Sequence, residues 1–290
     1  MHTILKGSTK EVIIGIDKPF VMIGEKINPT GRKKLAAALM DGNLDYVREL
    51  VENQIAWGAD VLDINVGVPG IDEAAMVKIV VEMVASLADV PLCIDSGNPD
   101  VLAAGLMAAP GKPLINSVSG EEKKLASVLP LAKERGAAVI GLTMDDNGIP
   151  KTPEERVAVA EKILERAARL GIPAEDVIID PLVLTVGSDS KAALVTIQTV
   201  ELLRKTFGVN VNLGASNVSF GLPERPTVNA AFLALGIQAG ATCSITDPLK
   251  LGQTVRAADL LLGRDPNSMR YLKYFRLAEK LRAAEAAKAG

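Results

Sequence analysis

The chain has 290 residues, 48% of them apolar and 23% charged, with a net charge of −3 at pH 7. It is long enough to bury a large core, and its scattered Lys and Arg with only 3% aromatic residues argue against a nucleic-acid-binding surface. The apolar stretch Val12 to Ile16 is too short for a secretory leader and meets Asp17 and Lys18 at once, and no run approaches membrane-spanning length.

Taken in chain order, short runs rich in Val, Ile and Leu predict strands at Val21–Gly24, Val61–Val66, Leu92–Asp95, Leu114–Ser117, Ala138–Thr143, Val177–Asp180, Val211–Gly214 and Thr242–Thr246. Helical spacing is predicted between and after them, at Leu44–Trp57, Asp72–Leu87, Pro99–Met107, Lys123–Glu134, Pro153–Leu170, Lys191–Thr206, Thr227–Ala239 and Gln253–Leu262. Local chemistry supports the helices. Thr152-Pro153-Glu154-Glu155 reads as a capping box, Asn98-Pro99 repeats the cap-then-proline start, and Gly58, Gly136, Gly171, Gly208 and Gly240 follow helical stretches as C-caps.

The strands are nearly continuous in apolar character, as in a parallel sheet buried on both faces. Eight strand-then-helix units without a linker or composition shift predict an α/β fold, a single closed (β/α)8 TIM barrel over residues 1–264. A doubly wound open sheet is the competing fold, but the glycine-rich turn of dinucleotide-binding sheets is missing after the first strand. The segment before Val21 is expected to cover the barrel bottom. Residues 265–290, with a basic, alanine-rich helix over Tyr271–Ala287, read as an extension of the same domain.

Chemistry in such barrels sits at the C-terminal strand ends. There the chain places Asp95, Asn116, Asp180 and Asn217, with Asn65 and Ser96 beside them. One such residue is an ordinary helix cap, and Asp72 and Asp247 read that way. Four on separate strands converging on one mouth suit a flat heterocycle with hydrogen-bonding edges. The single histidine, His2, is expected in a frayed terminus, which disfavours imidazole chemistry and His-ligated zinc. Cys93 and Cys243 fall inside strands and read as buried reduced thiols of a cytoplasmic protein.

Asp95-Ser96, Ile115-Asn116-Ser117, Asp180-Pro181 and Ser216-Asn217-Val218-Ser219-Phe220-Gly221, with the opening Gly24-Glu25-Lys26-Ile27-Asn28-Pro29-Thr30-Gly31, resemble the pterin-binding barrel family. That family includes dihydropteroate synthase, the folate domain of cobalamin-dependent methionine synthase, and the methyltetrahydrofolate:corrinoid protein methyltransferases. The likeness spans about Val21 to Lys250. It implies that Asp95, Asn116 and Asp180 hold the aminopyrimidinone edge of the pterin. Asn217 is implied to support protonation of N5, with a proton relayed through Asp180 or a nearby carboxylate.

The resemblance also discriminates within the family. Dihydropteroate synthases carry a lysine after the seventh strand and an arginine near the eighth, whereas this chain has Asn217 and Thr246-Asp247 there. The methyltransferase branch fits better. It implies methyltetrahydrofolate as substrate, cobalamin carried by a separate corrinoid protein or free, no protein-bound metal, and a homodimer. A dihydropteroate-type condensing enzyme and a non-catalytic folate-binding protein are the alternatives.

Other attractive residues have plainer readings. Lys26 beside Glu25 suits an ion-paired loop better than a Schiff base, and Asp145-Asp146 suits a solvated turn better than a cation site. Met144 reads as core. Asn65 stands open between lining the pocket and structural hydrogen bonding, and Phe220 between lining the cleft beside the aminobenzoate of a folate and ordinary packing.

Overall fold

Side chains that face the same way recur at every second residue of a strand, and this parity organises the molecule. The computed structural model describes residues 1–289. An N-terminal hairpin, β1 (Thr3–Lys6) and β2 (Glu11–Ile14), precedes eight parallel strands: β3 (Val21–Ile27), β4 (Val61–Ile64), β5 (Leu92–Asp95), β6 (Leu114–Ser119), β7 (Ala138–Leu142), β8 (Val177–Asp180), β9 (Asn212–Gly214) and β10 (Cys243–Thr246). Their spatial order is β8-β7-β6-β5-β4-β3-β10-β9. The remaining gap, between β8 and β9, is bridged in parallel at Ile179 and Val211. The expected barrel is therefore present, and each strand neighbours the next in sequence.

Helices α1 (Lys33–Met40), α2 (Asp45–Ala56), α3 (Glu73–Leu87), α4 (Pro99–Ala108), α5 (Glu122–Arg135), α6 (Pro153–Arg169), α7 (Ala192–Phe207), α8 (Arg225–Ala239), α9 (Pro248–Leu261) and α10 (Met269–Ala289) complete the chain. The Thr152–Glu155 capping box forms in full, and the five glycines read as C-caps all have positive φ. Two departures have local causes. α9 starts five residues earlier than its apolar spacing suggests, because Asp247 caps it by accepting from Leu249 N and Pro248 occupies the first turn. The hairpin, expected only as a cover for the barrel bottom, lacks a continuous apolar run, since buried and exposed residues alternate along both of its strands.

Alternate strand residues build two cores. Val21, Ile23, Val61, Cys93, Leu114, Ala138, Ile140, Ile178 and Cys243 fill the barrel interior, while Met22, Leu62, Ile94, Val139 and Ile179 pack outward with the helices. Leu5, Val12 and Ile14 of the hairpin join the interior cluster. The hairpin closes the N-terminal end: Lys6 pairs with Lys112 just before β6, and Asn210 Nδ2, just before β9, donates to Thr3 Oγ1 at 2.9 Å and to Ile14 O at 3.0 Å. His2 is therefore not frayed; its ring lies 2.6 Å from an Asp17 carboxylate oxygen. Cys93 and Cys243 are free thiols buried in the interior.

On the outside, α10 lays Tyr274 and Ala278 against Trp57, and Tyr274 donates to Pro248 O at 3.1 Å. Only glycine suits position 252 of α9, since an added Cβ would come within 2.4 Å of the Tyr274 oxygen.

Candidate active site

The inward parity that is apolar at the bottom of each strand turns polar at the top. Glu25 follows Ile23, Asp63 follows Val61, Asp95 follows Cys93, Asn116 follows Leu114 and Asp180 follows Ile178, each two residues on. Five strands thus deliver acids or amides to one mouth. A cavity of about 290 Å³ opens there, with Glu25, Asp63, Asp95, Asn116, Ser216 and Asn217 in its wall. Asn28, Thr30, Arg32, Gly214 and Ile245 complete the lining.

The floor is a set of acid–amide pairs. Asn116 donates from Nδ2 to Asp63 Oδ1 at 3.1 Å, and Asn65 donates from Nδ2 to Asp95 Oδ2 at 3.0 Å. With its Nδ2 engaged, Asn116 keeps its carbonyl oxygen as an acceptor, while Asp95 keeps carboxylate lone pairs for a donor. Burial pushes the Asp63 carboxyl well above the usual range, and the neighbouring Asp95 charge adds to this. Burial also raises Asp95, against the bond from Asn65. Glu25 is raised by burial and then by Asp247, and Ser216 Oγ donates to it at 3.2 Å. Acids that are reluctant to ionise when empty become good partners for a ligand that brings N–H donors.

Asn217 closes the opposite wall. It ends a 3-10 turn, Ala215–Asn217, that directly follows β9. Gly214 makes room for it, since a Cβ there would sit 3.2 Å from Asn217 Nδ2. Among the described residues its amide has no hydrogen-bond partner, so it is available to a ligand.

The other sequence-derived candidates lie around this cavity rather than in its wall. Asn65 orients Asp95 and also accepts from Gly67 N at 2.8 Å. Ser96 accepts from Asn98 N at 3.1 Å, in the turn before α4. Phe220 is 67% exposed, with the Arg225 guanidinium 5.4 Å from its ring centre. Asp180 is buried; its oxygens accept from Asn212 Nδ2 at 2.6 Å and from Leu182 N at 2.7 Å. Burial lifts its pKa to about 6, against those two bonds. Lys26 is ion-paired, but with Asp247 rather than with Glu25 beside it in sequence. Asp145 accepts from Asn147 N within the expected turn.

Sequence reasoning passed over Asp63, Glu25, Asn212 and Ser216. Parity would have found the first two, since each lies two residues beyond an inward apolar side chain. It also passed over Arg156 of α6. Only 2% exposed, Arg156 donates to Pro150 O at 3.0 Å, Pro181 O at 2.7 Å and Leu182 O at 3.0 Å. It thereby ties the loops after β7 and β8. Leu182 has a φ of 62°, a conformation that costs a non-glycine residue about 1 kcal/mol or more. Arg156 on its carbonyl and Asp180 on its N–H hold it there. Arg156→Leu would strand these carbonyls, so urea unfolding is expected to show a loss of about 3 kcal/mol or more. An unchanged midpoint would show that water replaces the guanidinium.

The profile of the pterin-binding enzyme family matches residues 24–247, the span from the top of β3 to the cap of α9 that encloses the whole cavity wall. The chain belongs to the pterin-binding enzyme family. This pterin-binding enzyme is 30% identical over 264 residues to the methylcorrinoid:tetrahydrofolate methyltransferase of Eubacterium limosum, covering 88% of this chain and 96% of that protein. It is 32% identical over 248 residues to methionine synthase of Mycobacterium leprae, covering 81% of this chain but 21% of that much longer protein. Among solved structures, the Yersinia pestis dihydropteroate synthase in a sulfonamide drug complex superposes with a TM-score of 0.69 at 19% identity, covering 91% of this chain and 99% of that one. The Xanthomonas albilineans dihydropteroate synthase with 4-aminobenzoic acid gives 0.68 at 20% identity, covering 91% and 98%. At that identity the likeness speaks for the barrel alone.

Proposed function

We propose that this enzyme transfers the methyl group between N5 of methyltetrahydrofolate and the cobalt of a corrinoid protein. The observation that carries the reading is the unengaged Asn217 amide facing a floor of acid–amide pairs across one cavity. Identity with the methylcorrinoid:tetrahydrofolate methyltransferase over nearly its whole length supports the same activity.

Asp95 and Asn116 would take the pterin edge, the carboxylate accepting from adjacent N–H groups and the amide oxygen accepting another. Asp180, buried at the top of β8 and held by Asn212 Nδ2 and Leu182 N, would be the third residue of that edge. Cobalt(I) attacks the methyl carbon, the carbon–N5 bond breaks with its electron pair left on nitrogen, and the nitrogen takes up one proton. A tertiary amine leaves poorly, so the site must favour positive charge at N5 more in the transition state than in the ground state. Asn217 has no proton to give; its carbonyl accepts from the developing N5–H, while water relays the proton from Asp180 or a nearby carboxylate. The cobalt comes with its own protein or as free cobalamin, so the barrel supplies no metal ligands.

We further place the enzyme in the cytoplasm as a homodimer, its helices α4, α7 and α8 presenting Met107, Leu194 and Leu235 to solvent. Among the described residues no helix is long and apolar enough to cross a membrane.

The test is spectroscopic. Mixed with methyltetrahydrofolate and cob(I)alamin, the protein is expected to convert the cob(I)alamin absorbance to that of methylcobalamin. Condensation of a pterin pyrophosphate with aminobenzoate, with no methyl transfer, would replace this reading with the dihydropteroate-type one. Folate binding without either reaction would make the chain a carrier.

A further inference from the structure

Beside the pterin cavity lies a second one, of about 210 Å³, which shares Glu25, Arg32 and Ser216 with the first and adds Lys26, Arg225, Asn229, Asp247 and Lys250. We propose that it is a subsite for clustered carboxylates, those of the glutamyl tail of a folate whose pterin sits in the main cavity. This rests on the folate reading above and adds which folates the enzyme prefers.

The charge is unbalanced. Four cationic side chains face two acidic ones, and one of those acids, Asp247, is spent on Lys26. Arg225 donates only to neutral groups, Ser216 O at 2.7 Å and Ser219 Oγ at 3.1 Å. Arg32 likewise donates to Lys26 O at 2.8 Å. Both guanidinium groups are fixed in place without being neutralised, and each keeps N–H donors free. Lys250 makes no ion pair among the described residues.

The backbone adds to the same field. α8 begins at Arg225 and α9 at Pro248, so the N-termini of two helices with 15 and 14 residues open on this cavity. A structural role for these cations would show as carboxylate partners, which only Lys26 has. A pocket of positive charge continuous with a pterin site suits the anionic end of the molecule that the pterin belongs to. The tail reaches it past Glu25, Arg32 and Ser216, the residues common to both cavities, with the Arg32 guanidinium facing the acid.

Clustered oxyanions could also come from the phosphate of a corrinoid nucleotide tail. The experiment therefore compares the KM for monoglutamyl and triglutamyl methyltetrahydrofolate, and for free cob(I)alamin, in the wild type and in Lys250→Glu and Arg225→Gln. The triglutamyl form is expected to have a KM lower by roughly tenfold. Either variant should shrink that advantage to about twofold without changing kcat, and added salt should erode it in the wild type. Equal KM for both tail lengths in the wild type, or a shift confined to the KM for cob(I)alamin, overturns the proposal. If no methyl transfer occurs, calorimetry with the two folates decides: tighter binding of the triglutamyl form that is lost in Lys250→Glu sustains the subsite, and equal binding refutes it.

Discussion

Asn217→Ala is expected to slow methyl transfer by about two to three orders of magnitude, the usual cost of removing one aligned hydrogen-bonding group from a site of developing charge. Affinity for methyltetrahydrofolate should change by only a few fold. The asymmetry follows from where the charge appears. In the ground state N5 is an uncharged tertiary amine with no hydrogen for the Asn217 carbonyl to accept, while in the transition state it gains one. The floor of the cavity, which holds the pterin edge, is untouched. Single-turnover kinetics give the rate of the chemical step, and calorimetry gives the affinity. A variant that keeps full turnover removes Asn217 from the mechanism, and one that loses binding and rate equally makes it a holding residue.

Asp63→Asn is expected to divide stability from function. Asp63 is 2% exposed and its carboxyl is raised by burial first and by Asp95 second. Because its folded pKa lies above the ordinary carboxylate value, its favourable contribution to folding is complete only below that ordinary value. The contribution is lost as the pH rises through the folded pKa. Above the ordinary carboxylate value that contribution is increasingly forfeited, and an amide, which does not titrate, avoids the loss. The variant should melt higher at pH 7, by a few degrees, with the difference vanishing in acid.

Binding moves the other way. In the native pair Asp63 Oδ1 accepts from Asn116 Nδ2, which leaves the Asn116 oxygen for the ligand. Opposite a second amide, Asn116 is satisfied in either orientation. The methyltetrahydrofolate KM should rise by about tenfold, the cost of one bond to a charged group, with kcat nearly unchanged. A KM within twofold of the wild type would mean that the Asn116 orientation is held by something other than Asp63.

The barrel was legible because its signals are local. Apolar runs of strand length alternate with helical spacing, and the caps at Thr152 and Asn98 and the glycines after the helices mark the boundaries. Asp95, Asn116 and Asn217 were legible as members of one cavity because they stand at or just beyond the ends of their apolar runs and match motifs. Asp63 was harder to see, being a strand-interior residue followed by the more conspicuous Asn65. The parity set by Val61 turns both inward, and Asp63, two residues earlier along the strand, is the deeper of the two. Arg156 was invisible for another reason: its partners, the carbonyls of Pro150, Pro181 and Leu182, are backbone groups brought near by loops after two different strands. No residue type advertises a free carbonyl. Lys26 was read as an ion-paired loop residue and is one, but its partner could not be named, because Asp247 is remote in sequence and adjacent only once β10 pairs with β3.

The ring of strands is joined least firmly between β8 and β9, where one backbone bridge does the work that three or more paired positions do at every other junction. Just above that bridge the Asp180 carboxylate clasps the Asn212 amide across the seam. The residue proposed to serve the pterin therefore also rivets the cylinder shut. Amide hydrogens along this slit should exchange sooner than those elsewhere in the wall, and a bound folate should slow them.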